Sequence, residues 1–471
     1  MLCALALMAS PATAARVEIA DDRMLVVNGE RTFVLGLYEN PGDDAVLRQA
    51  AEAGFNLFAA GPSREALDRL QAAGAYGWIN LGDNVNLSES AEARRAALTR
   101  LAAEYGSHPA LLVWEVPDEA LWSCWYGPFV WRRYQEPEAQ LQHLNALTDA
   151  RLAEELKARQ RQVLERTWAG DYRGAEQLAD SIWGDLGVES PHPHWNVSDA
   201  AASAARVQAG LLAGYQFLKS LGIQQPVWMN HAPRNQVPQL AAFSEAADIV
   251  GCDIYPVPEY LGGHSDLADR SLSAVGAYTL RMQAAAPGKP VWMVLQGFSW
   301  GEINPSMEEW KRREMVRPEF EETRFMAYDA IVRGARGLAY WGTSTVEKDS
   351  ELWQDLLRLA GELKSIRQML TAPDAPLRPA ITHEETWGSV DRGVVVLGKE
   401  VGGRTWLLVV NEWVEPLTYT MHGLGTLEGT MYVDRLSGRA ATVANGSLTT
   451  TIAGQAVQVL EPVSGGPRAS D

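Results

Sequence analysis

Two carboxylic acids stand side by side at the end of an apolar stretch, Trp114-Glu115-Val116-Pro117-Asp118-Glu119. Adjacent carboxyl groups of this kind can share acid and base work, and cleavage of a glycosidic bond normally needs two such groups on opposite sides of the scissile bond. A second apolar segment, Lys289-Pro290-Val291-Trp292-Met293-Val294-Leu295-Gln296-Gly297, ends on an amide where an acid would be useful. An amide neither attacks as an anion nor holds a transferable proton, so Gln296 cannot complete a pair with Glu119. The best replacement is Asp253 in Gly251-Cys252-Asp253-Ile254-Tyr255-Pro256. Strand alternation points Asp253 and Tyr255 to the same side as Gly251. Two roles stay open for Asp253. It activates a water at the inverting separation of about 6.5–9.5 Å, rather than the retaining one of about 5–5.5 Å, or it only binds a hydroxyl and orients Tyr255. Glu302 and Glu39 are weaker options.

These residues need a frame. Eight short apolar segments recur with helical segments between them: Phe33–Leu37, Phe55–Ala59, Tyr76–Leu81, Leu111–Val116, Pro226–Asn230, Ile249–Tyr255, Val291–Gln296 and Gly337–Trp341. Asp44–Ala53, Ser63–Ala73 and Ala91–Tyr105 carry apolar residues at helical spacing. The pattern predicts an α/β chain folded as a (β/α)8 barrel, whose chemistry lies at the C-terminal strand ends. An open nucleotide-binding sheet would carry a Gly-rich phosphate loop, and none is present. The polar residues collected at the strand ends are Tyr38, Glu39 and Asn40, Asn80 and Asn84, Glu115, Asp118 and Glu119, Asn230, His231 and Asn235, Asp253 and Tyr255, Gln296 and Trp300, and Trp341. Such a ring is rich in acids, amides and aromatics and poor in cations, which suits a neutral polyhydroxylated ligand. Glu115 is expected behind this ring, bonded to Asn230 or His231. His231 is expected to donate to a sugar or to an acid.

About eighty residues, Leu121 to Val197, follow the fourth strand where a few would do. They open with Trp122, Trp125, Tyr126 and Trp131 and continue through a charged helical stretch from Glu138 to Thr167. The expectation is a helical lid walling the cleft; the plainer alternative is a helical hairpin packed on the barrel. A hairpin built from Val17–Ile19 and Met24–Val27, with a turn at Asn28-Gly29, precedes the first strand. Beyond Pro373, Pro376 and Pro379, alternating segments such as Thr405–Asn411 and Ala456–Leu460 predict a C-terminal antiparallel β-sandwich over 371–471, after a barrel domain over 16–370.

A net charge of −18 argues against a nucleic-acid or anionic-membrane partner. Met1 to Ala15 is apolar and ends in Ala12-Thr13-Ala14, a small-residue cleavage pattern, so a signal peptide and a secreted or periplasmic location are expected. Cys124 and Cys252 are too few for a disulfide scaffold, and no Cys/His spacing fits a metal site. No cofactor is implied. Many of the seventeen tryptophans are expected in the core, and others on sugar faces.

The chain resembles the clan A glycoside hydrolases. Trp114, Glu115 and Glu119 match their Trp-Glu/Asp-x-x-Asn-Glu pattern at strand four, and Gly36-Leu37-Tyr38 and the stretch from Arg324 through Gly334-Ala335-Arg336-Gly337 to Tyr340-Trp341 look like the opening and closing of such barrels. The resemblance implies a (β/α)8 hydrolase acting on an oligo- or polysaccharide, with Glu119 as general acid. It also shows two departures. Asp118 replaces the asparagine that would bond the sugar 2-hydroxyl, and its charge beside Glu119 should raise one of the two pKa values. Gln296 occupies the place of the nucleophilic glutamate. Asp118, Tyr38, Glu39, Trp122, Asn230, His231, Tyr255, Gln296, Trp300 and Trp341 are then expected to hold the sugar. The alternative is a non-catalytic glycan-binding barrel that has lost its nucleophile, and a third class is a structural barrel.

Overall fold

The computed structural model describes residues 14–261, 269–385 and 392–463. The leader expected at 1–15 lies, apart from its last two positions, outside the described residues. Eight parallel strands close into a barrel in sequence order: β1 Val34–Leu37, β2 Leu57–Ala59, β3 Tyr76–Asn80, β4 Leu111–Glu115, β5 Val227–His231, β6 Ile249–Ile254, β7 Val291–Gln296 and β8 Gly337–Trp341. β8 pairs back onto β1, with Gly337 opposite Val34 and Tyr340 opposite Leu37.

Two apolar layers explain why these segments read as continuous hydrophobic runs. Residues facing outward, such as Leu111, Met229, Met293 and Leu295, pack under the helices. Residues facing inward fill the barrel itself, where Trp78, Trp228 and Trp292 are fully or almost fully buried. Trp78 meets Trp228 edge-on at 5.7 Å, and Trp228 lies 5.4 Å from Trp292. These indoles need room from their neighbours. A Cβ at Gly337 would stand 2.7 Å from Trp292, and one at Gly251 would stand 2.9 Å from the Trp228 ring nitrogen. Three of the tryptophans are therefore barrel filling, not sugar platforms.

Below the barrel, Val17–Ile19, Leu25–Val27 and Glu30–Thr32 form a three-stranded sheet. Asn28 and Gly29, with φ of 53° and 88°, turn the second strand into the third, as a two-residue hairpin with right-handed twist requires. The hairpin expected around this turn thus has a third strand.

The insertion is helical throughout its described core: α1 Ala120–Val130, a π-turn at Trp131–Gln135, α2 Glu136–Asn145, α3 Ala150–Trp168 and α4 Tyr172–Leu186. Its aromatic opening is helical too, with Trp122, Trp125 and Tyr126 on α1 and Trp131 at the start of the π-turn. Arg132 ties the insertion together. Its guanidinium donates to Glu136 and Asp180 at 2.8 Å, to the Trp195 carbonyl at 2.8 Å and to Asn196 at 2.6 Å. One buried cation thereby joins the start, the middle and the end of the segment.

The C-terminal strands form a three-stranded and a five-stranded antiparallel sheet. Leu407, Val409 and Leu460 of one face Tyr419, Met421 and Leu448 of the other across a shared core. Arg333 of the barrel clamps Glu412 of this unit through two bonds of 2.6 Å. Cys124 and Cys252 are both buried and free. No helix among the described residues is long and apolar enough to cross a membrane.

Candidate active site

The C-terminal ends of β4, β5 and β6 converge on one cleft of about 340 Å³. Its acidic floor holds Asp118, Glu119 and Asp253, with Asn230 between them. Its walls are Tyr38, Tyr255, Trp300 and Trp341 on one side and Trp122, Tyr126 and Arg234 on the other. Tyr255 stacks on Trp341 at 5.6 Å and 20°. Trp122 stacks on Tyr126 at 4.6 Å, and the Arg234 guanidinium lies 4.8 Å above the Trp122 ring. α1 of the insertion therefore supplies one wall of the cleft.

The floor is built by three strands in register. Inward alternation on β6 brings Gly251 and Asp253 to the interior, and Asp253 is 2% exposed. On β5 the same alternation turns Trp228 and Asn230 inward. The Asn230 amide donates to Asp118 at 2.9 Å and to Asp253 at 3.4 Å, bridging two strand ends with one NH2 group. Glu119 has left the strand. It sits at φ 49°, ψ 35°, a left-handed conformation that costs a residue other than glycine about 1–3 kcal/mol. Its N–H donates to the Asn230 carbonyl at 3.2 Å, which fixes that conformation against β5. Strain held in place at a candidate acid is a feature of functional sites.

The carboxyl groups of Glu119 and Asp253 are hydrogen-bonded to each other. Two carboxyl groups can make such a bond only if one carries a proton, so the pair retains a proton under conditions where isolated acids would lose it. Burial and the Asp118 charge push Glu119 up to about 7, while the bond to Asp253 acts in the opposite direction. Burial and the charges of Glu119 and Asp118 hold Asp253 well above the usual carboxylate range. Asp118 keeps a solvent-facing edge, because it also borders a neighbouring cavity of about 260 Å³ next to Ser123 and Ser203.

Solved structures similar to this architecture include glycoside hydrolases. A family 42 β-galactosidase from G. stearothermophilus superposes with a TM-score of 0.52 over 95% of this chain and 99% of its own, at 10% identity. A β-galactosidase from Bacillus circulans sp. alkalophilus gives 0.51 over 92% and 99%, also at 10% identity. A β-galactosidase from the psychrophilic Marinomonas ef1 is 15% identical, with a TM-score of 0.44, and this chain spans 60% of its length. No family model and no curated protein matches the chain. The chain shares the fold of the G. stearothermophilus and Bacillus circulans β-galactosidases.

Within this fold, nine of the twelve residues expected to cleave or hold the sugar share the cleft: Glu119 and Asp253 with Tyr38, Asp118, Trp122, Asn230, Tyr255, Trp300 and Trp341. Three do not. Gln296 is fully buried, and its amide is consumed by backbone. Its oxygen accepts from the Val257 N–H at 2.9 Å, and its nitrogen donates to the Val257 and Phe298 carbonyls at 2.8 and 3.1 Å. It clamps the loop after β6 and does not reach a sugar. His231, the next residue after Asn230, faces the opposite way, with Nε2 3.1 Å from the Ser244 hydroxyl behind the barrel wall. Burial there lowers its pKa to about 3, so it stays neutral. Glu39 is drawn out of the cleft by Lys348 at 2.5 Å. The inverting separation expected between Glu119 and Asp253 is also absent, since the two groups touch.

Glu115 sits under the floor with partners other than those expected. It accepts from Asn80 at 2.8 Å, Trp78 at 3.0 Å and Tyr38 at 3.3 Å. Burial and Asp118 push it up to about 8. Arg234 and Tyr126 complete the cleft and were missed as site residues. Arg234 follows Asn230 on a loop whose direction no periodicity gives, although Tyr126 could have been found one helical turn beyond Trp122. Among the described residues, no three are gathered to hold a metal ion.

Glu115 gives a stability prediction. Its folded pKa of about 8 lies above the ordinary 4.5, so the folded state keeps a proton that the unfolded chain releases. The stability this contributes is complete below roughly pH 4.5 and is lost as pH rises through about 8, a change on the order of a few kcal/mol. Glu115→Gln keeps an acceptor for Asn80 and Trp78 and offers Tyr38 a donor. The difference in Tm between variant and wild type is expected to grow in the variant's favour from pH 5 to pH 9, as read by thermal melts.

Proposed function

We propose that this chain hydrolyses a glycosidic bond and that Glu119 is the general acid. The observation that carries the proposal is the proton-sharing pair of Glu119 and Asp253, set in an aromatic-walled cleft at the catalytic end of the barrel. An acid with a pKa near the working pH is suited to proton transfer in both directions. Glu119 delivers the proton to the leaving oxygen. Asp253, lying in contact with it on the same side, holds and restores that proton instead of activating a water across the ring. Asn230 fixes Asp118 and Asp253, while Tyr255 and Trp341 hold the sugar face. The leader read at 1–15 adds an extracytoplasmic place of action to this proposal.

The test is product release from a broad glycan panel, with kcat/KM followed against pH. Activity is expected to fall as pH rises through about 7, where Glu119 loses its proton. Because the Asp118 charge raises Glu119, Asp118→Asn should move this alkaline limb to lower pH. An unmoved limb would show that the limb does not report Glu119. A second reading, glycan binding without turnover, is favoured by the backbone engagement of Gln296. Calorimetric binding with no sugar released from the panel would establish it in place of the first.

A further inference from the structure

Glu119 has a hydrogen-bonded neighbour but, among the described residues, no opposite number across the cleft. Apart from Asp118, each nearby acid among the described residues is accounted for. Asp253 touches Glu119 itself, and Glu39 is held by Lys348. Glu115 is walled in by Asn80, Trp78 and Tyr38. Glu302 accepts from the Ser299 N–H at 3.0 Å and from Arg317 at 2.6 Å. Gln296 cannot attack and is bonded to backbone. Tyr255 is buried beside three acids that oppose its ionisation, so its phenol is a donor and not an anionic nucleophile. The acids gathered on one side of the cleft supply protons and negative charge. They do not supply an attacking group on the other side.

We propose that the substrate supplies that group: a 1,2-trans glycoside of a 2-acetamido-2-deoxy sugar, cleaved with help from its own acetamide. This rests on the hydrolase reading above and names its substrate class. Asp118 is the residue placed for it. It directly precedes Glu119, lines the same cleft and is oriented by the Asn230 amide at 2.9 Å. Its carboxylate accepts the acetamide N–H, which makes the acetamide oxygen a better nucleophile and balances the positive charge that follows. That oxygen forms a bond to C1 as the bond from C1 to the leaving oxygen breaks, and Glu119 gives its proton to the leaving oxygen. The product of this step is a bicyclic oxazolinium ion. Water then attacks C1 and passes a proton to the Glu119 carboxylate, and the C1–acetamide bond breaks, restoring the amide. Two inversions at C1 leave its configuration unchanged. Substrate assistance of this kind is an established alternative to a second protein carboxylate.

The experiment uses the full chain and matched 1,2-trans aryl glycosides and oligosaccharides, each with a 2-acetamido group or a 2-hydroxyl. Release is expected from the acetamido series at 100-fold or higher kcat/KM. Replacing the acetyl methyl by trifluoromethyl should lower kcat/KM by a further 100-fold or more, because the carbonyl oxygen becomes a poorer nucleophile. Asp118→Asn should lower kcat at least 100-fold on acetamido substrates with KM little changed. Equal release from both series, or indifference to fluorination, overturns the inference and leaves glycoside hydrolysis standing. Release from no member of either series overturns the inference, and silence across the broad glycan panel as well overturns the hydrolase reading along with it.

Discussion

The Glu119→Gln substitution is expected to lower product release by roughly 10²–10⁴-fold, the range that general acid catalysis contributes. Glutamine has the same shape and can still donate a hydrogen bond to the Asp253 carboxylate, so the floor of the cleft and the affinity for substrate should survive. The loss should depend on the leaving group. A glycoside with a strongly acidic phenol needs no proton as it departs, and the variant should approach wild-type rates on it. Turnover measured on a series of aryl glycosides, with binding followed by calorimetry, checks both parts. A uniform loss across the series, or none, would remove Glu119 from the role of acid. Weakened binding would point instead to a collapsed floor, which the left-handed conformation at this position makes sensitive to side-chain changes.

Gln296→Glu is expected to damage the protein without creating a nucleophile. The Gln296 nitrogen donates to two backbone carbonyls in a site with no solvent exposure. A carboxylate there would turn an oxygen toward both carbonyls and strand them without a donor. Breaking a buried charged or polar network in this way costs about 3–5 kcal/mol. The loss is expected as a lower urea midpoint with an unchanged slope, together with no gain of activity on any glycoside. Protonation of the introduced acid would recover one donor, so the variant should regain stability as pH falls. A stable variant that acquires retaining activity would instead mean that position 296 is a vacant catalytic post.

These two positions show where sequence reading succeeds. The Glu119 context was legible because a strand end is short-range information: an apolar run, a proline and two acids fix where the chain leaves the barrel. Alternation places Asp253 and Tyr255, and the same rule applied to β5 turns Asn230 to the inner face. That rule also assigns His231 to the outer face, where it meets Ser244. Its place at a strand end suggests the cleft, and alternation overrules that suggestion. Gln296 illustrates the opposite limit. Its position on an inward-facing strand end is legible, but Val257, which it bonds twice, belongs to a loop some forty residues away in the chain, and no local pattern reveals that partner.

The barrel, its strand order, the helical insertion and the acids at the strand ends follow from hydrophobic periodicity and chain connectivity, which leave few alternatives. How those acids relate to one another is set by the packing of the folded barrel. Asp118, Glu119 and Asp253 come from β4 and β6, and Asn230 on the intervening strand draws them together. Whether two carboxyl groups touch or stand apart depends on a few ångströms of strand register and side-chain direction. That distance separates a pair that shares one proton from a pair that divides acid and base between opposite faces of a sugar.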